Sequence, residues 1–476
     1  MRKATHRYLY TPSDLLEFLS SPFATWMTRR CLDDPEAAQP DAESAQQLSL
    51  GRHGRRHEQA FLKQLRDQGR HVYRVPSGGD RAALTRSAMQ AGHEVIFHGL
   101  LDEADRLGEA DFLIRVAAPS RLGDYVYEPW ETKLARTVRP EFVIQLCAYA
   151  DLLEAVQGRC PEQLHCVTGD GRAHTFRTAD YIYYYRSLKS AFVAFLDGFD
   201  LDSPPLPNPW DENGRWQSHA EALLESSDHL CRVANISQTQ VEKLHAAGVQ
   251  TLRGLAETER QHVARLDDAV FVRLRDQARL QLASAGTDRP AYQIVEPAPD
   301  DPRKGLALLP PESPREGYPL MKGGLEYLFG VTCLEHGVPR FVDWWAHDAA
   351  QEKRAFEGFV DWVFARWQAD PALHIYHYAN YEVAVVRRLM GRYGTRETEV
   401  DELLRHNVFV DLYTVIRQGL RVGEPRYSLK NIESLYRDTR RTGPVSTAFD
   451  SVVAYEDWLA SGQPQDWRAS PVLQQI

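Results

Sequence analysis

The sequence lacks the patterns that mark membrane-spanning and secreted proteins. It has no run of 18 apolar residues, and its opening MRKATHRYLYTPSDLL has neither an apolar core nor a small-residue cleavage site. These absences argue against a membrane span and a secretory signal. Its six cysteines are scattered, and none has Cys-x-x-Cys spacing, which favours a reducing compartment without disulfides or a zinc knuckle. We therefore expect a cytoplasmic protein that binds no membrane.

Positive charge is scarce overall and concentrated locally. The chain has 66 acidic and 56 basic residues, for a net charge of −10. This balance argues weakly against nucleic-acid binding, because phosphate contacts need Lys and Arg. The stretch 51–74 reverses it, with seven basic residues and two acidic ones. This stretch is either a solvated helix face or a phosphate-facing surface, and Arg55 and Arg56 are its candidate DNA contacts.

The length of 476 residues suggests two to four domains. Stretches rich in Pro, Asn and Gly predict linkers. The predicted parts are a domain at 1–205, a linker at 206–234, a small helical unit at 235–287, a Pro-rich linker at 288–319 and an α/β domain at 320–476.

Within the first domain, alternating and helical apolar patterns predict a mixed α/β order. Residues 34–46 are predicted to form a loop. Helices are predicted at 49–69, 139–157 and 179–196, and strands at 93–103, 108–117, 124–135 and 163–168.

Four residues in this order suit phosphodiester cleavage. Asp111 and Glu131 come from consecutive predicted strands, so their carboxylates can meet at one rim of a sheet, and such oxygen ligands suit Mg²⁺ or Mn²⁺. Lys133 follows Glu131 by two residues, which puts both on one face of a strand. Its ammonium can stabilise an attacking hydroxide or the scissile phosphate. His57 on the preceding helix can add a nitrogen ligand.

Together with the segment QLCAY that begins at Gln145, these residues resemble the RecB-like branch of the PD-(D/E)xK nucleases over about residues 7–200. The resemblance implies that His57, Asp111 and Glu131 hold the metal and that Lys133, Glu131 and Asp111 are catalytic. It implies supporting or DNA-binding roles for Gln145 and Tyr149. Each piece alone has an ordinary explanation, such as a surface salt bridge, and their joint occurrence favours the nuclease.

The sequence departs from many such nucleases in one respect. They hold an iron–sulfur cluster through an early cysteine and a later cysteine group. The later group would fall near residues 208–220, which contain no cysteine. We therefore expect no iron–sulfur cluster. Cys31 is either a remnant of the early ligand or a buried thiol, and packing through Trp210 and Trp216 is expected to supply the missing stability.

Residues 235–256 place apolar side chains at helical spacing around Gly248 and resemble a helix-hairpin-helix unit. The apolar positions are Ile236, Val241, Leu244, Val249, Leu252 and Leu255. The resemblance implies that backbone amides hold phosphates without reading sequence. The alternative is a structural helical hairpin that joins two domains.

The last part of the chain contains the segments GGLEYLFG from Gly323, FVDWWAH from Phe341, HIYHYANYE from His374, VDLY from Val410 and YSLK from Tyr427. Through these segments, residues 305–476 resemble the RNase H-like, DEDD-type exonuclease domain that follows a RecB-like nuclease in some bacterial proteins, the longer of which add a superfamily I helicase. Such a domain needs four carboxylates for two metals. The segment before Gly323 has no apolar run and no Asp-x-Glu pair, so we expect the opening strand to be absent. Glu316, Glu382 and Asp411 are then expected to be the remnants of a degenerate second site.

The sequence thus predicts an α/β fold: a PD-(D/E)xK-type mixed sheet, a helical connector and an RNase H-like domain that lacks an edge or central strand. The predicted function is Mg²⁺- or Mn²⁺-dependent cleavage of DNA, in single strands or at ends, in repair or defence. A helicase is a possible partner. The rival hypothesis is a catalytically idle DNA-binding or helicase-docking scaffold, and an RNA substrate is a third possibility.

Overall fold

The computed structural model describes residues 1–4, 7–36, 38–287, 289–297, 304–310, 315–317, 326–437, 448–462, 467–471 and 473–475. The chain divides into two compact units, Met1–Ser226 and Ser227–Ile476. Both units contain helices and strands, which confirms the α/β class. Among the described helices, none is long and apolar enough to cross a bilayer.

The first unit is built on a mixed six-stranded sheet. The strands of this unit, of which β3 to β8 form the six-stranded sheet, are β1 (Arg2–Ala4), β2 (Arg7–Leu9), β3 (Val72–Arg74), β4 (Val95–Glu103), β5 (Arg106–Ser120), β6 (Gly123–Thr132), β7 (Gln163–Val167) and β8 (Ala173–Arg177). Its helices are α1 (Pro12–Ser20), α2 (Pro22–Asp33), α3 (Ala45–Asp67), α4 (Arg81–Gln90), α5 (Pro140–Gln157), α6 (Ile182–Asp197) and α7 (Gln217–Ser226). The sheet order is β3-β4-β5-β6-β7-β8, with β3–β4 and β6–β7 parallel and the other pairs antiparallel.

Two helices cover opposite faces of this sheet. Because side chains alternate along a strand, Phe97 and Phe112 join one apolar cluster with Phe61 of α3. Their strand neighbours Ile96 and Leu113 join the other cluster, with α5. The helix α5 also makes the crossover that the parallel pair β6 and β7 requires.

The helix α3 begins earlier than predicted, inside the segment 34–46 that was expected to be a loop. Ser44 caps it. The Ser44 hydroxyl accepts from the backbone N–H of Gln47 at 3.2 Å, and the side-chain oxygen of Gln47 accepts from the backbone N–H of Ser44 at 2.7 Å. This reciprocal pair satisfies two backbone donors that the first turn would leave unbonded. The capping bonds therefore extend the helix beyond its apolar stripe.

The segment predicted as the linker 206–234 contains α7 and a fully buried tryptophan. Trp216 packs with Phe23 and Trp26 of α2, and its indole N–H donates to the Thr28 hydroxyl at 2.9 Å. Cys31 packs against the same cluster. Trp210, by contrast, is 40% exposed, so the expectation that it shares in this packing is wrong.

The second unit begins with a helical part and continues into a five-stranded sheet. Its helices are α8 (Gln238–Ala246), α9 (Leu252–Glu257), α10 (Asp268–Ser284), α11 (Ala349–Ala369), α12 (Tyr381–Tyr393), α13 (Glu397–Arg405), α14 (Leu412–Gly419), α15 (Leu429–Ile432) and α16 (Ala448–Ala460). Its strands are β9 (Tyr292–Ile294), β10 (Arg315–Gly317), β11 (Leu328–Glu335), β12 (Val338–Trp345), β13 (His374–His377), β14 (Phe409–Asp411) and β15 (Leu420–Val422). The apolar residues singled out in 235–256 all join the core of the helical part.

The expectation that the C-terminal sheet lacks a strand is wrong. Its order is β12-β11-β10-β13-β14, so the three-residue β10 occupies the central position. It pairs antiparallel with β11 and parallel with β13, opposite His374–Tyr376. The segment carries no apolar run. Its place in the sheet is fixed instead by pairing with neighbouring strands on both sides. Residues 318–325, which follow it, lie outside the described residues.

Candidate functional site

The two carboxylates predicted from consecutive strands do lie side by side. In the β5–β6 ladder Phe112 pairs with Trp130, which sets Asp111 beside Glu131. One oxygen of Asp111 accepts from both the backbone N–H and the hydroxyl of Thr132, at 2.8 and 2.6 Å. These bonds fix the orientation of the Asp111 carboxylate across the two strands.

A hydrogen-bonded chain runs from Glu131 to the helix α5. The Lys133 ammonium donates to Glu131 Oε1 at 3.0 Å and to Gln145 Oε1 at 2.8 Å. The Gln145 amide donates to the same Glu131 oxygen at 2.9 Å and lies 2.7 Å from the Tyr149 hydroxyl. Gln145 and Tyr149 lie one helical turn apart, so a single helix face holds the lysine against the glutamate.

Gly108 lets this helix approach the sheet. A Cβ atom at Gly108 would lie 2.7 Å from Leu152 Cδ1 and 3.0 Å from Tyr149 Cδ1, both closer than ordinary contact. A side chain there would push α5 away from β5. Gly108 therefore helps to set the distance between the Tyr149 ring and the strand β5.

The electrostatics of the pair favour a bound cation. Burial, and after it the neighbouring Asp111, raise the pKa of Glu131 to about 8, although Lys133 opposes the shift. Burial also raises the pKa of Asp111, against the hydrogen bonds from Thr132. The second Glu131 oxygen, Oε2, is buried and has no hydrogen-bond partner within the described part of the chain. Two crowded carboxylates with an unbonded buried oxygen fit a hard divalent cation, which would compensate their charge.

His57 lies against the same edge of the sheet but contacts the backbone there. Its Nε2 is 3.3 Å from the Val167 carbonyl, which also accepts from the Lys133 backbone N–H at 2.8 Å. Within the described residues, no group of three or more His, Cys, Asp or Glu side chains is arranged to hold a metal ion. A metal shared by His57, Asp111 and Glu131 therefore stays a prediction.

A second histidine near Asp111 was missed in the sequence. His98 interrupts β4 in the left-handed region, at φ 57°, where Phe97 and Gly99 pair with Phe112 and Ala110 and leave His98 unmatched opposite Asp111. Its ring bonds to Glu58 and lies 3.4 Å from Glu109. A left-handed backbone at a non-glycine residue is uncommon, and a single sequence carries no signal for one here.

Arg55 and Arg56, the candidate DNA contacts, are exposed on α3. Neither forms an ion pair with another described residue, so both guanidinium groups are available to an anionic ligand. The ordinary alternative of a solvated helix face fits the same exposure.

The three acids of the second predicted site have unequal standing. Glu316 lies on the central strand β10, and its side chain is outside what the structure describes. Glu382 is buried in the first turn of α12, with Oε2 3.4 Å from His377 Nδ1 and without a hydrogen-bond partner among the described residues. Asp411 ends β14 and caps α14.

The Asp411 carboxylate is occupied by structural bonds. One oxygen accepts from the backbone N–H groups of Ala379 and Tyr413, at 2.8 and 2.9 Å. The other accepts from the Thr414 hydroxyl at 2.7 Å. Since His377 pairs with Asp411 in the β13–β14 ladder, Glu382 and Asp411 lie at the same end of the sheet.

The family model of the RNase H superfamily matches residues 315–470. This region is therefore RNase H-like, and the matched residues include the strand β10. No curated protein matches the chain. The match points to nuclease-type chemistry on nucleic acids.

Proposed function

We propose that the chain is a metal-dependent deoxyribonuclease that cleaves single strands or DNA ends at Asp111, Glu131 and Lys133. The observation that carries the proposal is the bonded set of Glu131, Lys133 and Gln145 beside a second crowded carboxylate. The RNase H-like match at 315–470 supports nucleic acid as the substrate class. The RecB-like PD-(D/E)xK assignment of the first unit belongs to this proposal.

Asp111 and Glu131 would hold Mg²⁺ or Mn²⁺, with His57 as a third ligand. When bound, the ion lowers the pKa of a coordinated water and offsets charge on the phosphate. Lys133 holds a positive charge beside the position where negative charge develops. Gln145 bonds both Lys133 and Glu131, so it positions the ammonium relative to the carboxylate. Tyr149 in turn fixes Gln145.

In this proposal the RNase H-like region does not cleave. Asp411 accepts three hydrogen bonds as a helix cap, which favours a structural role. The region then serves as a docking surface, for nucleic acid or for a helicase. The rival function, an idle scaffold throughout, predicts no cleavage at all.

The test is a cleavage assay of the purified full chain on labelled single-stranded DNA, double-stranded DNA and RNA, with Mg²⁺, Mn²⁺ or EDTA. The proposal expects metal-dependent cleavage of DNA that Lys133→Ala removes without unfolding the protein. Metal-dependent cleavage that survives Lys133→Ala would place the active site elsewhere, and no cleavage on any substrate would favour the scaffold.

A second candidate function is an active RNase H-like site. Two observations favour it. The sheet contains the central strand β10, which was expected to be absent, and the buried Oε2 of Glu382 has no hydrogen-bond partner among the described residues. The double variant Glu382→Ala with Asp411→Ala separates the two candidates. Loss of a 3′-to-5′ exonuclease activity that Lys133→Ala spares would establish the second site.

A further inference from the structure

The second unit contains a cavity of about 280 Å³ where its helical part meets the strand β15 and the helix α14. Three arginines line it: Arg273 from α10, Arg417 from α14 and Arg421 from β15. None of the described residues that line it is acidic. In a chain with a net charge of −10, this concentration of positive charge needs an explanation.

Two of the three guanidinium groups are uncompensated. Arg421 donates to Asp276 at 3.1 Å and to Gln293 at 3.2 Å, which anchors it in the wall. Arg273 and Arg417 are exposed and form no ion pair with any described residue. Counted over the described residues, three arginines against one aspartate give the cavity a formal excess of two positive charges. Arginine forks match phosphate oxygens in pairs, so this excess fits a phosphate.

The floor of the cavity is rigid. The Gln277 amide donates to the Val422 carbonyl at 2.8 Å, and its oxygen accepts from the Tyr427 hydroxyl at 2.9 Å. The Tyr427 hydroxyl also accepts from the Val422 N–H at 2.8 Å. Gln277 is 4% exposed and Tyr427 is 6% exposed, so these bonds are shielded from water. A fixed floor means that ligand binding does not have to order the wall.

The rim supplies neutral hydrogen-bonding groups. Asn235 is exposed at the mouth and holds a left-handed φ of 61°. Gln418 also lines the cavity, and its side-chain oxygen accepts from the Gly305 N–H at 3.1 Å. Leu274 and Leu420 add apolar surface. Positive charge, amide groups and apolar walls together suit a phosphate attached to a sugar.

We propose that this cavity binds the phosphate of a nucleotide unit, in a nucleic-acid strand or as a free nucleotide. The site is separate from Asp111 and Glu131, and it rests on the proposed function only in that nucleic acid is the substrate class. In this proposal a nucleic-acid strand is bound at the junction of the helical part with the RNase H-like region, rather than at the hairpin around Gly248.

The test compares two charge-matched double variants of the full chain. Arg273→Ala with Arg417→Ala removes the uncompensated cavity arginines. Arg354→Ala with Arg387→Ala removes two exposed arginines of α11 and α12 that form no ion pair among the described residues. Binding of a fluorescent single-stranded DNA is measured in EDTA over a range of salt concentrations, and binding of deoxythymidine monophosphate and of inorganic phosphate by calorimetry.

The cavity variant should bind the strand about tenfold or more weakly than wild type and should show a salt slope lower by about one, while the control stays near wild type. If the monophosphate binds wild type and fails to bind the cavity variant while strand affinity is unchanged, the ligand is a free nucleotide. Equal loss in both variants, or no loss of any ligand in the cavity variant, would overturn the inference.

The outcome is independent of cleavage. A wild-type chain that binds through the cavity but never cuts DNA would sink the proposed nuclease and leave this site standing. If the chain cuts DNA and its cavity variant binds every ligand like wild type, the proposed nuclease stands and this binding site is wrong.

Discussion

Two acidic pairs, one in each unit, differ in what surrounds them. Asp111–Glu131 and Glu382–Asp411 each contain one buried glutamate oxygen without a hydrogen-bond partner among the described residues. Beside Glu131 stand an ammonium and an amide, and burial raises its pKa to about 8. Beside Glu382 stands a histidine that also bonds the carbonyl of Ala379, at 2.6 Å.

The two pairs of carboxylates differ in the groups that surround them. The pair in the first unit has the Lys133 ammonium beside it, and that ammonium is itself held by Gln145 from another element. In the second unit Asp411 is used by the backbone around it, where it caps a helix. The five predictions below either break this contrast or sharpen it.

Metal removal should have the largest effect. Excess EDTA should abolish DNA cleavage, and Mg²⁺ or Mn²⁺ should restore it, because the crowded carboxylates need a cation. Thermal unfolding gives a second readout: Mn²⁺ should raise the Tm of wild type and raise it less in Asp111→Asn. Cleavage that continues at full rate in EDTA would contradict a metal site.

Lys133→Ala should lower the cleavage rate by about 10²–10³-fold, the usual cost of one lost electrostatic contact to a transition state. The double variant Glu382→Ala with Asp411→Ala should cleave at the wild-type rate. Lys353→Ala, a partly exposed lysine of α11, is the control for the removal of one positive charge. If the double variant lost the activity and Lys133→Ala kept it, the contrast would be reversed.

Asp151 in α5 is a carboxylate of the first unit with a structural role. It accepts from Lys189 at 2.7 Å and from Arg106, and Tyr185 donates to it at 3.3 Å. Asp151→Asn should lower the free energy of unfolding by about 2 kcal/mol, since Lys189 and Arg106 lose the negative charge that they share. Cleavage by the folded variant at low temperature should stay near wild type, and a loss as large as that of Lys133→Ala would contradict this.

This stabilisation should depend on pH. Burial raises the pKa of Asp151, but Lys189 and Arg106 outweigh it and lower the pKa in the folded state. A lowered folded pKa gives stability that is present above the unfolded pKa and is lost as pH falls through the folded one. The difference between wild type and Asp151→Asn in urea unfolding should therefore shrink below about pH 4. A difference that is constant from pH 7 to pH 3 would show that charge is not its source.

Asp411→Ala should have the smallest effect, a loss of about 1 kcal/mol in unfolding free energy, as for other helix caps. Asp411→Asn should lose less, because asparagine also caps helices. Asp348→Ala, which removes the cap of α11, is the matched control. A gain in stability on Asp411→Ala would identify a carboxylate kept for function at the expense of the fold.

Local patterns in the sequence were enough to predict much of the first unit. The expected strand at 124–135 and helix at 139–157 correspond to β6 and α5, whose bounds differ by at most three residues. Strand periodicity put Glu131 and Lys133 on one face of a strand. The spacing of Gln145 and Tyr149 put them one turn apart on a helix. These periods are short-range properties of the backbone, so a single sequence carries them.

The sequence by itself determined the α/β class, the pairing of Asp111 with Glu131 and the apolar core of the helical part. Only the tertiary structure decided the bond of His98 to Glu58, the burial of Trp216 and the cavity of Arg273, Arg417 and Arg421. It also decided the strand β10, which has no apolar pattern and exists because β11 and β13 bond to it from both sides. Such features depend on contacts between residues far apart in the chain, which local propensity does not specify.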